Sequence, residues 1–271
     1  MEDLPRAESQ AEREERLRHG SSFGAAAAAY AEHRPDYAEA AIRWALEPVS
    51  TRQPLRVLDL GAGTGKLTEA LVGLGAEVTA VEPDPAMLAE LRRSLGSVRA
   101  LPGSAEEIPL PDASVDAVLA GQAMHWFDLD RAIPEIARVL APGGVLAGLW
   151  NVDDDRVGWV ATLAQISKGE ANVTLRRWRE RVGRVRQERL AATGSGLFGT
   201  PEVGEFGHGQ RRTADSLLAT IATHSNFLVM EEPDRDRLLA QVRDFLHAQP
   251  ETAAGEFVLP MVTAVLRATR K

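Results

Sequence analysis

The apolar pentapeptide RVLDL (56–60) runs straight into GAGTGKL, which places Gly61, Gly63 and Gly65 within five positions. A strand that breaks into such a loop and then into a helix confines a chain to a short list of α/β folds. The glycines let the backbone approach a ligand closely, and the helix N-terminus that follows favours negative charge. Spacing decides among the ligands. A P-loop needs G-x-x-x-x-G-K-[ST], but here the position five before Gly65 is Leu60 and Lys66 is followed by Leu67. A dinucleotide fingerprint needs G-x-G-x-x-G, and here the third glycine comes one residue early. A tight turn without a ligand is the bland alternative. Glu82, 21 residues after Gly61, weighs against it. An acidic side chain closing the second strand accepts hydrogen bonds from ribose hydroxyls and repels a 2′-phosphate. Its own bland reading is a solvated strand-end carboxylate.

Around this loop the chain alternates strands and helices. LRVLDL, EVTAVEPD, a short stretch near VRALP, VDAVLAG and VLAGLW read as strands. KLTEALVGLG reads as a helix starting near Lys66 and capped by Gly75. PAMLAELRRSL carries Met87, Leu88, Leu91 and Leu95 on one face. LDRAIPEIARVLAPGG reads as a helix that stops at Pro142-Gly143-Gly144. This rhythm with short loops predicts an α/β doubly wound, mostly parallel sheet, with the loops after the strands gathered on one ligand-binding edge. After Asn151 the rhythm changes. GWVATLAQI, NVTLRRWRERVGRVRQERLAATG, TADSLLATIATHS and DRDRLLAQVRDFLHAQ read as helices, GLFGTPEVGEFGHGQRR as loops and a strand, and EFVLPMVTAVLRATR as a final strand. Residues 1–20 read as a disordered tail, having little to bury. Residues 21–271 read as one domain, with helices over 21–50 and a helical cap at about 152–225.

Composition removes several function classes. There are no cysteines, which excludes disulfides, thiolate catalysis and cysteine-ligated zinc. The net charge of -8 disfavours nucleic acid as a partner. No run approaches the ~18 apolar residues of a membrane span, and the charged N-terminus lacks a secretory apolar region. The expectation is a cytoplasmic protein bound to neither membrane nor nucleic acid, with no metal site.

VLDLGAGTGKLTEAL, VEPDPAML, GSAEEIPLPDASVDAV, AGQAMHWFD and RVLAPGGVLAGLW, in that order, resemble a class I S-adenosylmethionine-dependent methyltransferase. The resemblance is to the small-molecule group that includes the ubiquinone/menaquinone-biosynthesis and trans-aconitate methyltransferases. It runs from about Phe23 to Trp150, and more loosely to the C-terminus. It implies the Rossmann-like methyltransferase fold and S-adenosyl-L-methionine as cofactor, with S-adenosyl-L-homocysteine as product. Gly61, Ala62, Gly63 and Gly65 would wrap the methionine end. Asp59 would order the loop or approach the cofactor's amino group. Glu82 would hold the ribose, and Pro83 and Met87 would border the adenine. Met87 also lies on its helix's apolar stripe and serves the core. Ser104, Ala105 and Glu106 match the loop over the adenine, and Gln122 and Ala123 would face the methionine part. Tyr30 and Arg34 match an N-terminal Y-x-x-x-R-P pattern that closes over the cofactor, with a surface salt bridge as the alternative for Arg34.

Methyl transfer asks a protein mainly for orientation and water exclusion, and for a base where the acceptor atom carries a proton. His125 is the candidate base, since it follows the fourth strand on the ligand edge and an imidazole titrates in the useful range. Its alternative is a loop anchor. Trp126 and His224 are candidates for the acceptor pocket, and Phe127 for packing. His208 carries less weight. The stretch TLRRWRERVGRVRQERL holds seven arginines beside a stripe of Leu175, Trp178, Val182 and Val185. It reads as an amphipathic helix with a solvated basic face, or as one that draws in an anionic substrate. The expected function is methyl transfer to a small-molecule acceptor on oxygen, nitrogen or carbon. The rivals are a cofactor-binding member with a regulatory or non-methylating role and an NAD-dependent oxidoreductase. Oligomeric state is not encoded in any of these features.

Overall fold

A computed structural model describes residues 36–167, 174–222, 227 and 230–271. Tyr30, Arg34, His224, the tail 1–20 and the alanine run before Pro35 lie outside the described residues. The chain opens with helix α1 (Glu39–Leu46) and a 3-10 turn, Glu47–Val49. It continues through β1 (Arg56–Leu60), α2 (Lys66–Gly73), β2 (Glu77–Glu82), α3 (Pro85–Ser94) and β3 (Arg99–Pro102). Next come β4 (Val115–Gly121), a 3-10 turn Met124–Trp126, α4 (Leu129–Val139) and β5 (Leu140–Asp153). The later part holds α5 (Gly158–Ile166), α6 (Leu175–Arg177), a π-helical turn Trp178–Gly183 and α7 (Arg184–Thr193). β6 (Glu202–Thr213), α8 (Ala214–Ala222), α9 (Glu232–Ala248) and β7 (Glu256–Thr269) complete it.

The seven strands form one sheet in the order β3-β2-β1-β4-β5-β7-β6. β3 through β5 are parallel, and β7 inserts antiparallel between β5 and β6. The expected doubly wound, mostly parallel sheet is what forms. Helices cover both faces, which is why β1 and β4 are apolar almost without interruption. Leu58, Leu60, Val118, Ala120 and Leu146 pack on one face with Ile133 and Ile136 of α4. Val57, Leu119, Ala147 and Leu149 pack on the other with Ile42 of α1 and Leu71 of α2. The helix expected to run to Pro142 stops at Val139, and β5 takes over at Leu140. The reason is close packing. A Cβ on Gly144 would stand 2.9 Å from the Asp116 carbonyl, and residues 141–144 bulge out of the β4–β5 register between the pairs Val115–Leu140 and Ala117–Val145.

At the far edge from the glycine loop, Asp116 takes hydrogen bonds from Arg52 and from both the backbone and side chain of Arg56. Burial opposes its charge, yet the two guanidinium groups hold its carboxyl down to about 2. On the near edge, β5, β7 and β6 extend past the ends of the other strands. Phe257, Leu259 and Met261 of β7 are buried there against α5, α8 and α9. On the opposite face the Trp178 ring sits 5.8 Å from that of Trp150 and ties the π-helical turn to β5. Within the stretch read as a helical cap, the strand expected in GLFGTPEVGEFGHGQRR is β6, which joins the main sheet. Leu175 and Trp178 are buried, as the apolar stripe required; the side chains of Val182 and Val185 lie outside the description. On the basic face Arg179 pairs with Glu205, Arg184 with Glu188 and Arg189 with Asp130.

Candidate functional site

The loops after β1, β2 and β4 meet at one edge of the sheet. Gly61, Gly63 and Gly65 all have positive φ, at 71°, 58° and 96°, where a side chain is strained. Their surroundings differ. A Cβ on Gly61 would lie 2.7 Å from the Ala123 Cβ, and one on Gly65 would lie 3.0 Å from Leu95. Gly63 meets nothing nearer than the Met87 sulfur at 3.8 Å. Gly61 thus presses the loop onto the segment after β4 and Gly65 presses it onto α3. Gly63 leaves its outer side open, which is the cradle a ligand needs.

Carboxylates hold that cradle in shape. Glu82 accepts from the Gly63 N–H through Oε2 and from the Asp84 N–H through Oε1, both at 2.8 Å. It is only 5% exposed, and burial pushes its pKa up. Each oxygen keeps one further acceptor position for a hydroxyl. Asp84 caps α3 by accepting from Ala86 and Met87. Asp59 is fully buried, with Oδ2 accepting from the Thr68 hydroxyl at 2.6 Å and Oδ1 without a partner. Burial raises its carboxyl to about 7. Its bond to Thr68 ties α2 to β1.

The adenine-side candidates flank the same cradle. Met87 is buried and Pro83 is exposed on the turn after β2. Ser104 pairs with Glu107 across a tight turn, Ala105 is buried, and Glu106 Oε1 accepts from the Asp128 N–H at 2.8 Å. That bond fastens the 104–107 turn to the start of α4. On the other side Gln122 takes a positive φ of 53°, donates its amide to the Asn151 carbonyl at 2.9 Å, and bonds Leu149 through its backbone. Ala123 is buried against Gly61, and Met124 anchors the turn that carries His125 and Trp126. Those two are half-buried, with ring centroids 4.7 Å apart. Phe127 is buried beside Gly61, as packing requires.

Several residues that were not read from sequence complete the edge. The Tyr37 hydroxyl lies against Gly121, and Lys66 reaches Asp36 at 3.4 Å. Asn151 donates to the Asp36 carbonyl at 3.1 Å. Thr263 donates to Asn151 Oδ1 at 2.7 Å and accepts from the Ala38 N–H at 2.9 Å. Its single proton being spent on Asn151, the Thr263 oxygen accepts a hydrogen bond from His208 Nε2–H at 3.3 Å. Burial lowers the His208 pKa. Asp153, at the end of β5, sits across Met261 from His208 in register. Burial and nearby Asp155 push its carboxyl up to about 7. Asp153 had no signal of its own inside the run DDD. His208 had one, the alternation of GHGQRR, which marks a two-sided strand. Among the described residues no cluster suited to a metal ion occurs, and no helix is long and apolar enough to cross a membrane.

Residues 58–148 match the family model described as a methyltransferase domain. Over 249 residues the chain is 43% identical to an uncharacterized methyltransferase of Mycobacterium tuberculosis, covering 92% of this chain and 95% of that one. It is 37% identical over 128 residues to a malonyl-[acyl-carrier protein] O-methyltransferase of Enterobacter lignolyticus, covering 47% of this chain and 51% of that one. Among solved structures, a protein of Anaeromyxobacter dehalogenans assigned as a type II methyltransferase superposes with a TM-score of 0.61 at 29% identity. That match covers 88% of this chain and 97% of the other.

Proposed function

The chain belongs to the class I S-adenosylmethionine-dependent methyltransferases, and from that premise we propose that its acceptor is a small molecule taken up between the strand ends and the cap. The observation that supports this reading is the meeting of three segments at one edge. Asn151 at the end of β5 bonds Asp36 and Gln122, and Tyr37 lies against Gly121 at the end of β4. Domain organisation follows the same reading. One domain spans 21–271, with 21–50 over the cofactor and about 152–225 over the acceptor.

The residues present fit the cofactor. The open side of Gly63 and the free acceptor positions on Glu82 suit a nucleoside with a charged amino-acid tail. When bound, S-adenosylmethionine supplies a methyl group on a positively charged sulfur. Gly61, Ala62, Gly63 and Gly65 would lie along its methionine end with Gln122 and Ala123. Glu82 would take the ribose hydroxyls. Pro83, Met87, Ser104, Ala105 and Glu106 would border the adenine. Tyr30 and Arg34 would close over it, and Asp59 would act through the loop it orders.

His125 would take the proton of an acceptor hydroxyl or amine, with Trp126 and His224 lining the pocket. An oxygen acceptor accords with the O-methyltransferase among the relatives. The test is transfer of labelled methyl from the cofactor to a small-molecule extract, alongside calorimetry with S-adenosylhomocysteine and NADH. The expected outcome is binding of S-adenosylhomocysteine only, with label in the low-molecular-weight fraction. Binding without transfer would favour the regulatory alternative. H125Q should lower transfer by about 10²-fold or more while leaving cofactor affinity unchanged. Equal transfer by H125Q would remove His125 as the base.

A further inference from the structure

The run Asp153-Asp154-Asp155 carries three carboxylates in three different settings. Asp154 accepts two hydrogen bonds from the Arg156 guanidinium, at 2.6 and 2.7 Å. Asp155 accepts from the Arg176 N–H at 3.3 Å and lies 3.8 Å from its guanidinium. Asp153 has no such partner. Among the described residues no hydrogen bond or ion pair reaches its carboxylate, and the charge acting on it is the like charge of Asp155. It is half-buried, with protein packed closely enough around the carboxyl to raise it to about 7. A carboxylate so desolvated, and still open on one side, lines a recess.

Strand geometry places that recess. Val152 turns into the core with α4, so Asp153 stands on the opposite face with Asn151 and, across β7, with Met261 and His208. The Asn151 carbonyl accepts from the Gln122 side chain at 2.9 Å. Asp153 therefore lies one pleat repeat, about 7 Å, beyond the residue to which Gln122 is bonded. Met261, between Asp153 and His208, is buried with the apolar cluster of α5, α8 and α9. The row is thus two polar groups standing either side of an apolar floor.

Both of those groups accept. Asn151 gives an amide proton to the Asp36 carbonyl, which turns its Oδ1 towards Thr263. Thr263 spends its one proton there, so the His208 proton sits on Nε2. Burial keeps the imidazole neutral. Nδ1 is left with a lone pair and no proton.

We propose that the row Asp153–Met261–His208 binds a protonated amine of the methyl acceptor, with Asp153 as its counter-ion and His208 Nδ1 as a second hydrogen-bond acceptor. The inference rests on the small-molecule reading above and adds the chemical class of the acceptor. An ammonium group carries donors only, which matches a row of acceptors, and brings the positive charge that the chain itself does not place there. A carboxylate or phosphate would meet lone pairs and a like charge. A hydroxyl would offer one donor and leave the Asp153 charge uncompensated. Position assigns the amine to the acceptor and not to the cofactor, whose amino group belongs at the glycine loop on the far side of Gln122.

The experiment uses the full chain, methyl-labelled cofactor and a small-molecule extract of the cells that carry the gene. Labelled products, resolved from unreacted cofactor, are run on a cation exchanger at about pH 2, where carboxylic acids are neutral and any amine is charged. The expected result is a labelled product retained as a cation. D153N should lower its formation at least about tenfold, and D153E less so. In D153N the S-adenosylhomocysteine affinity should stay within a few-fold of wild type, and the melting temperature at or above it. An unretained product, or wild-type labelling by D153N, would overturn the amine site and leave methyl transfer standing. Loss of S-adenosylhomocysteine binding in D153N would overturn it too, by moving Asp153 to the cofactor. An extract that yields no labelled small molecule overturns the small-molecule reading, and this inference falls with it.

Discussion

The two halves of the sheet solve different problems. From β3 to β5 the ligand edge is built by backbone. Three glycines set the loop, Glu82 and Glu106 accept main-chain N–H groups that fix one loop against another, and Asp84 caps α3. From β5 to β6 the edge is built by side chains standing on long antiparallel strands, namely Asn151, Asp153, Thr263, His208, Gln210 and Arg212. Backbone geometry recognises a constant group and tolerates little change. A comb of side chains on a fixed strand can change its ligand without changing its fold. The β3-to-β5 edge is therefore built for a constant group, and the β5-to-β6 edge is built so that its side chains can vary.

Substitutions that strike the two halves unequally test that division. The largest effect belongs to G61V. Its Cβ would collide with Ala123 at a positive φ, so S-adenosylhomocysteine affinity should fall at least about a hundredfold, with a clear drop in melting temperature. E82Q comes next. It offers one acceptor oxygen where two N–H groups are bound, and should cost about 2–3 kcal/mol of stability and a comparable share of cofactor affinity. Calorimetry and denaturant melts measure both.

T263V removes a hydroxyl that serves Asn151, Ala38 and His208. It should cost about 1–3 kcal/mol in a urea melt while leaving S-adenosylhomocysteine affinity within a few-fold. If T263V weakened the cofactor as much as E82Q, the separation between halves would be wrong.

The smallest effect is a gain. The folded-state pKa of Asp153 is raised to about 7, so its ionised form costs stability in the folded chain. The cost is absent below the unfolded value near 4, grows as pH rises towards 7 and is flat above. D153N should thus be more stable than wild type by about 1 kcal/mol at pH 8, with the difference shrinking towards pH 4. A D153N variant that lost stability at pH 8 would show that the carboxylate is held by favourable contacts.

Much of the β3-to-β5 half was legible because its contacts are close in sequence. Strand, loop and helix follow one another between Arg56 and Gly73, and glycine spacing reports backbone conformation directly. Even there the reasons for the glycines differed, because Ala123 and Leu95 become neighbours only after folding. The end of α4 was misjudged by a few residues. Pro142-Gly143-Gly144 signals a helix stop, and the stretch forms a bulge after Leu140, where Gly144 packs against the Asp116 carbonyl.

The sequence by itself determined the alternation of elements, since periodicity and turn chemistry act over a few residues, and the family resemblance of its ordered motifs implied the cofactor. Only the tertiary structure decided which side chains meet along the β5–β6 edge. Asn151 meets Asp36 across 115 positions, and Thr263 meets Ala38 across 225. β7 enters between β5 and β6, against chain order, and sets Arg212, Gln210 and His208 on one inner face. Such contacts depend on strand order and register, which no local pattern encodes.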